Sequence, residues 1–315
     1  MTPSRTTATG ERRAVWFAGY LALCAAAFAR PLWELARLSL SQDTYSHILL
    51  IPFVSAGLVW MQPRRKDAAG PSSRGLAAIV FLAGAAIFAL NWKIGETLPA
   101  GGSLALTVLS LLFLVWAGVL FVYGSRVFRA NLFPLMFLLL MVPMPQMAVD
   151  RCIEWLQNGS SDVTDVLFRL TGTPVLRRGN LFIVPQFSIE IAKECSGIRS
   201  AVALMITCLL AGYLFLRSSW ARVVLLAAAL PVLVIKNGVR IVTLTLLSIH
   251  VDPGFLTGRL HHEGGFLFFL LGLVILWPVL WWLQKLEARL RARETPGRPA
   301  SGGTRAGTAT ALPHS

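Results

Sequence analysis

Residues 223–248 read VVLLAAALPVLVIKNGVRIVTLTLLS. A helix needs about 20 mostly apolar residues to cross a bilayer, and this run is long enough. It still carries Lys236, Asn237 and Arg240 near its middle. Lys236 and Arg240 are four residues apart, so they share one face of a helix. Neither can easily snorkel to the interface from that depth. Ionisable groups inside a membrane segment are costly and mark functional sites by default. The segment therefore predicts both a membrane fold and a place to look for its chemistry.

Working outward, the same apolar run length recurs. Of the 315 residues, 55% are hydrophobic and only 14% are charged, against about 25% charged in a soluble domain. Eight spans are predicted, at about 14–29, 47–61, 75–91, 103–124, 132–149, 197–216, 223–248 and 265–283. The expected fold is an all-α polytopic membrane bundle. Ala14 to Ala29 reads as the first span, not as a cleavable signal, because basic and apolar segments keep alternating after it. Residues 1–13 form an N-terminal segment, 14–292 the membrane domain with its catalytic half at about 150–283, and 293–315 a disordered tail rich in Gly, Pro, Ser, Thr and Ala. The connection 150–193 carries turn signals (Asn158-Gly159, Gly172, Pro174, Gly179-Asn180, Pro185). Its alternating stretch from Asn180 to Ile191 predicts a short hairpin or flap.

The net charge of +14 does not point to nucleic acid, because the basic residues sit mostly in short loops. Lys and Arg number 17 in the N-terminal segment, alternate loops and tail, against 9 in the opposite connections. The first set is cytoplasmic by the positive-inside rule, with both termini inside. Cys195 then falls at the outer end of span six, and His261 and His262 at the outer start of span eight. Arg240 lies about 13 Å from the outer end of span seven.

Glu194-Cys195-Ser196-Gly197-Ile198-Arg199-Ser200 opens span six. A thiol acts as nucleophile in its thiolate form, which nearby cations and a helix N-terminus favour. Ser196 can cap that helix or supply a hydrogen bond. A cysteine with a histidine base and a cationic partner is sufficient for acyl transfer through a thioester. Blander readings stand beside this one. Arg199, on the face of Cys195, can anchor at the interface. Arg240 can pair with carbonyls or with Glu194, and adjacent loop histidines are often merely solvated. His261-His262-Glu263 lacks the helical H-E-x-x-H spacing, so no metal and no cofactor is expected. Cys24 and Cys208 lie in apolar runs and read as packing residues; Cys152 reads as inert or disulfide-bonded. A non-enzymatic alternative is a transporter or exopolysaccharide-assembly component, with Lys236 and Arg240 lining an anion path.

Several motifs together resemble the exosortase/archaeosortase family of membrane cysteine transpeptidases. Asp43-Thr44-Tyr45-Ser46-His47, with Pro52 downstream, resembles the early Tyr-Ser-His motif. Val142-Pro143-Met144-Pro145 resembles a Pro-x-Pro pair, and Gly172-Thr173-Pro174-Val175 with Gly179-Asn180 the approach to the active site. Cys195-Ser196-Gly197-Ile198-Arg199 matches the Cys-Ser-Gly-aliphatic-Arg core, Asn237-Gly238-Val239-Arg240-Ile241 matches Asn-x-x-Arg-Ile, and His261 with Gly265 matches His-x-x-x-Gly.

The resemblance implies Cys195 as acyl-thioester nucleophile, Arg240 as proton donor or charge partner, and His261 as the residue that assists proton transfer or stabilises the transition state, with His262 as rival. Glu194 stands where relatives often have a small residue; it is a further candidate to line the site, where it can pair with Arg199 or Lys193 or raise the thiol pKa. His47 is on the right side to line the site, with Ser196, Arg199 and Asn237 as further lining candidates. The implied partners are exported proteins with a C-terminal sorting signal of the PEP-CTERM kind: a short Pro-containing motif, a transmembrane helix and a basic end. The implied setting is the bacterial inner membrane or its archaeal equivalent. The active site would face outward, and the acceptor of the cut chain would be a lipid, a glycan or water. Membrane lipids complete the expected partners, acidic headgroups being the counterpart of the basic substrate tail.

Overall fold

A computed structural model describes residues 5–62, 72–99, 101–191, 197–256 and 265–294. The described helices are α1 (Arg5–Ala27), α2 (Ala29–Ser41), α3 (Ile51–Met61), α4 (Arg74–Ile94), α5 (Gly102–Ala130), α6 (Leu132–Phe137), α7 (Gln146–Leu170), α8 (Ile198–Phe215), α9 (Ser219–His250) and α10 (Gly265–Glu294). A small antiparallel sheet, β1 (Leu176–Arg178), β2 (Leu181–Ile183) and β3 (Ser188–Glu190), stands between α7 and α8 in strand order β1-β2-β3. The all-α polytopic architecture holds.

Among the described residues, five helices, α4, α5, α8, α9 and α10, are long and apolar enough to cross a membrane, or up to seven spans if two bent pairs each count as one. The expected number was eight. The second predicted span gives only the 11-residue α3, about 16 Å long and short of the roughly 30 Å hydrocarbon core. Its first residues are spent on turns: a 3₁₀ turn at Asp43–Tyr45 is followed by turns up to Leu50. The first pair, α1 and α2, bends by 74°, so part of the expected connection 30–46 is helical. The segment Leu132–Met141 and α7 form the second pair, bent by 92°, at the Pro143 and Pro145 that interrupt the helix.

The largest departure is α7, which occupies the first half of the predicted connection. Its buried side chains are Val149, Ile153, Leu156, Ser160, Ser161, Thr164 and Phe168, a single stripe at helical spacing. Asn158-Gly159 reads as a turn in sequence but is helical here, because the glycine serves packing. A Cβ on Gly159 would lie 3.0 Å from both methyl groups of Val234, and one on Gly238 would lie 2.6 Å from Cγ1 of Val163. The two glycines let α7 and α9 approach closely, as small residues do between membrane helices.

The predicted hairpin is present as β2 and β3, paired from Leu181–Glu190 to Ile183–Ser188, and β1 adds a third strand. Phe182 and Ile191 are fully buried with Phe168, Ile241 and Val242. The flap is therefore docked on α7 and α9. Gln157 Nε2 donates to the Ile191 carbonyl (2.7 Å), and Ser161 Oγ donates to Asn180 Oδ1 (2.8 Å).

Helices α8, α9 and α10 pack pairwise against one another. Glu287 of α10 is 6% exposed. It accepts hydrogen bonds from the backbone amides of Arg217 (3.1 Å) and Ser218 (2.7 Å) and from the Ser218 hydroxyl. This satisfies orphan amides at the entry to α9 and ties α10 to the α8–α9 turn. In the other half α5 is central, burying Val108, Leu112, Trp116 and Leu120. Trp116 Nε1 and Ser55 Oγ donate to the carbonyls of Leu135 and Pro134, so their polar atoms are satisfied in an apolar setting.

Candidate functional site

The intramembrane polar residues of α9 meet α7, α8 and α10 at one place. Lys236, 1% exposed, extends its amine to Ser200 Oγ on α8 at 2.6 Å. Ser200 in turn donates to the carbonyl of Gly197 at 3.0 Å. A Cβ on Gly272 of α10 would lie 3.3 Å from Cδ of Lys236, so the lysine stem is clasped between two helices. Asn237, equally buried, donates from Nδ2 to Ser160 Oγ on α7 at 2.9 Å. Arg240 is half-buried one turn further on, close enough to Lys236 for the two cations to repel.

Gly197 caps α8 with left-handed backbone, φ 71° and ψ 20°. Glycine adopts this conformation without the steric cost that a Cβ brings. A second constraint acts there, because a Cβ would stand 2.8 Å from Oδ1 of Asn237. The start of α8 is thus pressed against the Asn-x-x-Arg segment of α9. These two motifs lie 40 residues apart in the chain.

The N-terminal motif joins them from another side. Arg199 forms an ion pair with Asp43 at 3.1 Å. Both side chains are more than 60% exposed, so the pair is worth less than about 1 kcal/mol and serves as a positional link. Tyr45 is buried and donates from its hydroxyl to the Met144 carbonyl in the Pro-x-Pro segment at 3.0 Å. Half-buried His47 stands in the turns before α3. Burial lowers its pKa from the ordinary 6.5, against the opposing pull of backbone hydrogen bonding from Thr44 and Leu140.

Of the predicted site residues, Asn237 and Arg240 are placed at this junction, Arg199 at its exposed edge, and His47 in the adjoining turn. Glu194, Cys195, Ser196, His261 and His262 lie outside the described residues. Described neighbours flank them: Ile191 and Gly197 on either side of the Cys195 segment, and Gly265 after the histidines. Sequence reasoning missed Ser160, Ser200, Asp43 and Tyr45 as contributors. The signal for Ser160 was present in the helical spacing of the α7 stripe, which the Asn-Gly pair concealed. Cys152 is a free thiol, exposed on α7, while Cys24 and Cys208 are buried as expected of packing residues.

Helices of spanning length, with buried lysine and asparagine bridging them by hydrogen bonds, define a multi-pass membrane protein with a polar centre inside its bundle. Residues 33–278, from α2 to α10, match the family described as transmembrane exosortase. The chain belongs to that family, one of membrane proteases and transpeptidases that act in protein sorting. No curated protein and no solved structure matches it significantly.

Proposed function

We propose that the protein is a cysteine transpeptidase that cuts the C-terminal sorting signal of exported proteins through a thioester on Cys195. The observation that carries this reading is the contact between Gly197 and Asn237. It joins the Cys-Ser-Gly-aliphatic-Arg motif to the Asn-x-x-Arg motif across α8 and α9. Chain connectivity keeps the Cys195 Cα within about 7 Å of that of Gly197. Arg240 lies one helical turn from Asn237 on the same side of α9. Packing of α8, α9 and α10 as mutual neighbours supports bringing His261 or His262 to the same place.

In this reading the Cys195 thiolate attacks the carbonyl carbon of the scissile peptide. The C–N bond breaks, the leaving amine takes a proton from a histidine or Arg240, and the acyl group remains on sulfur. An amine-bearing acceptor, or water, then attacks the thioester and the thiolate departs. Arg240 and the amide-rich start of α8 stabilise the oxyanion. The basic cytoplasmic loops set the site toward the outer face of the cell membrane, where exported substrates present their juxtamembrane segment.

The test pairs the enzyme with an exported substrate carrying such a signal. Cys195→Ala and Cys195→Ser are expected to leave it uncleaved at normal enzyme levels in the membrane, and a thioester adduct is expected at Cys195. Single substitutions of His261 and His262 identify the assisting histidine. The burial of Lys236 beside Arg240 also suits a path for an anionic solute. That alternative predicts full activity in Cys195→Ala and loss in Arg240→Ala, so undiminished function of Cys195→Ala overturns the transpeptidase reading.

A further inference from the structure

The small sheet has two edges, β1 and β3, and they differ. Between β2 and β3 the register sets Phe182 opposite Ile189. Ile191 donates its amide to the Asn180 carbonyl and Val184 to that of Phe187, each at 3.0 Å. Bonds alternate along an antiparallel ladder, so Phe187, Ile189 and Ile191 turn their main-chain groups toward β2. The N–H and C=O groups of Ser188 and Glu190 point the other way, and both residues are exposed. Among the described residues nothing bonds those outward groups. Such a row is a template for one more strand. The β1 edge is blunted by its own side chain. Arg177 donates from Nε to the Gly179 carbonyl (2.9 Å) and from Nη2 to Asp162 (2.8 Å). A charged side chain on an edge discourages strand addition.

Position decides what the open edge meets. The start of α8 is level with Asn237, because Gly197 is pressed against that side chain. The 18 residues of α8, about 27 Å, nearly fill the hydrocarbon core below that level. Helix α9 runs on from Asn237 to His250, about 20 Å further. The flap packs Phe182 and Ile191 on Ile241 and Val242 of that extension. The sheet therefore stands beyond the end of α8, in the water layer and not among lipid chains. Exported proteins pass on that side in the proposed orientation. Strand β3 also leads toward the proposed nucleophile. Cys195 follows Glu190 by five residues, a reach of at most about 18 Å.

We propose that the β3 edge binds the extended juxtamembrane segment of the exported substrate as a fourth strand, through the main-chain groups of Ser188 and Glu190. This choice of occupant rests on the Cys195 reading. Recognition runs through the backbone, so the side chains at 188 and 190 contribute little.

The test uses the full chain in membranes and an exported reporter whose C-terminal signal the native protein cleaves. Ser188→Pro and Glu190→Pro each remove an outward N–H and keep the β2–β3 ladder, the one place where a strand tolerates proline. Each is expected to lower processing about tenfold at limiting reporter and less at saturating reporter. Ser188→Ala and Glu190→Gln are expected to process normally. A second measurement does not depend on proline. In Cys195→Ala, benzoylphenylalanine placed at 188 is expected to capture the uncleaved reporter on illumination, about tenfold more than when placed at 176 on β1. Processing by both proline variants within about twofold of native, capture at 176 equal to that at 188, or capture of a second copy of the chain in place of the reporter overturns the proposal. Cleavage by Cys195→Ala sinks the Cys195 reading instead, and capture at 188 then still reports on the edge.

Discussion

Gly197→Ala tests whether the start of α8 is held against Asn237. The left-handed backbone at this position costs an L-residue about 1–2 kcal/mol. The new methyl would also stand 2.8 Å from Oδ1 and 3.2 Å from Cγ of Asn237. That amide is not free to swing, because it is 1% exposed and its Nδ2 is committed to Ser160. Displacing it breaks a buried hydrogen bond, at about 1–3 kcal/mol, so the total is about 2–5 kcal/mol. Gly172→Ala separates the two effects: φ there is +69°, but nothing lies within 4 Å of the added methyl. Denaturation in detergent micelles is expected to show Gly172→Ala losing only the backbone part and Gly197→Ala clearly more. Processing of a sorting substrate is expected to fail in Gly197→Ala alone. If the two variants lose stability to within about 0.5 kcal/mol of each other, the resolution of such comparisons, the contact with Asn237 does not constrain this turn.

Gly238→Ala drives a methyl to 2.6 Å from Cγ1 of Val163. It is expected to cost about 1–3 kcal/mol by overpacking in the same denaturation assay, with substantial recovery in the double variant Gly238→Ala, Val163→Ala. Ser200→Ala removes the hydroxyl that receives the Lys236 amine and leaves a buried donor without that acceptor, a loss of about 1–3 kcal/mol. The double variant Ser200→Ala, Lys236→Met is expected to be the more stable of the two, and the ordering is read from their denaturation midpoints. His47 has its pKa lowered by burial, so above the ordinary 6.5 both folded and unfolded chains carry it neutral and it adds no pH dependence. As pH falls through 6.5 the unfolded chain takes up the proton first, and stability drops. Unfolding measured from pH 8 to 5 is expected to show this acid loss in the native protein and a flatter profile in His47→Gln.

The sequence was most legible where one physical cost dominated. Apolar runs of membrane length marked α4, α5, α8, α9 and α10 because unpaired backbone is intolerable in lipid. Strict alternation marked the flap for the same reason that Phe182 and Ile191 are buried: one face of a strand must meet the core. Legibility failed where two causes shared a residue type. Glycine at 159 signals a turn by conformational freedom and a close helix contact by lack of a side chain, and only the neighbour, Val234, decides. Pro52 and the apolar residues after His47 suggested a span, yet the polar Asp43–His47 motif needed turns, and the helix that followed was left too short to cross.

Four motifs separated by up to about 200 residues converge because their polar atoms have few other partners inside a bundle. Lys236 reaches Ser200, Asn237 reaches Ser160, Arg199 reaches Asp43, and Tyr45 reaches Met144. Each bond is modest in water, about 0.5–1.5 kcal/mol net. For Lys236, Asn237 and Tyr45 the alternative within an apolar bundle is a buried group with no such partner, so these bonds discriminate strongly against other helix registers, while the exposed Arg199–Asp43 pair adds only a positional link. A slip of α9 by one residue against α7 and α8 would turn Lys236 and Asn237 away from both serines and drive Gly238 off Val163. The residues that specify how α7, α8 and α9 pack are therefore the same residues that surround the proposed reaction centre. Mutagenesis that reads activity alone cannot tell their two roles apart. A pair such as Ser200→Ala with Lys236→Met, measured for both stability and processing, can: it restores packing while leaving the polar centre stripped.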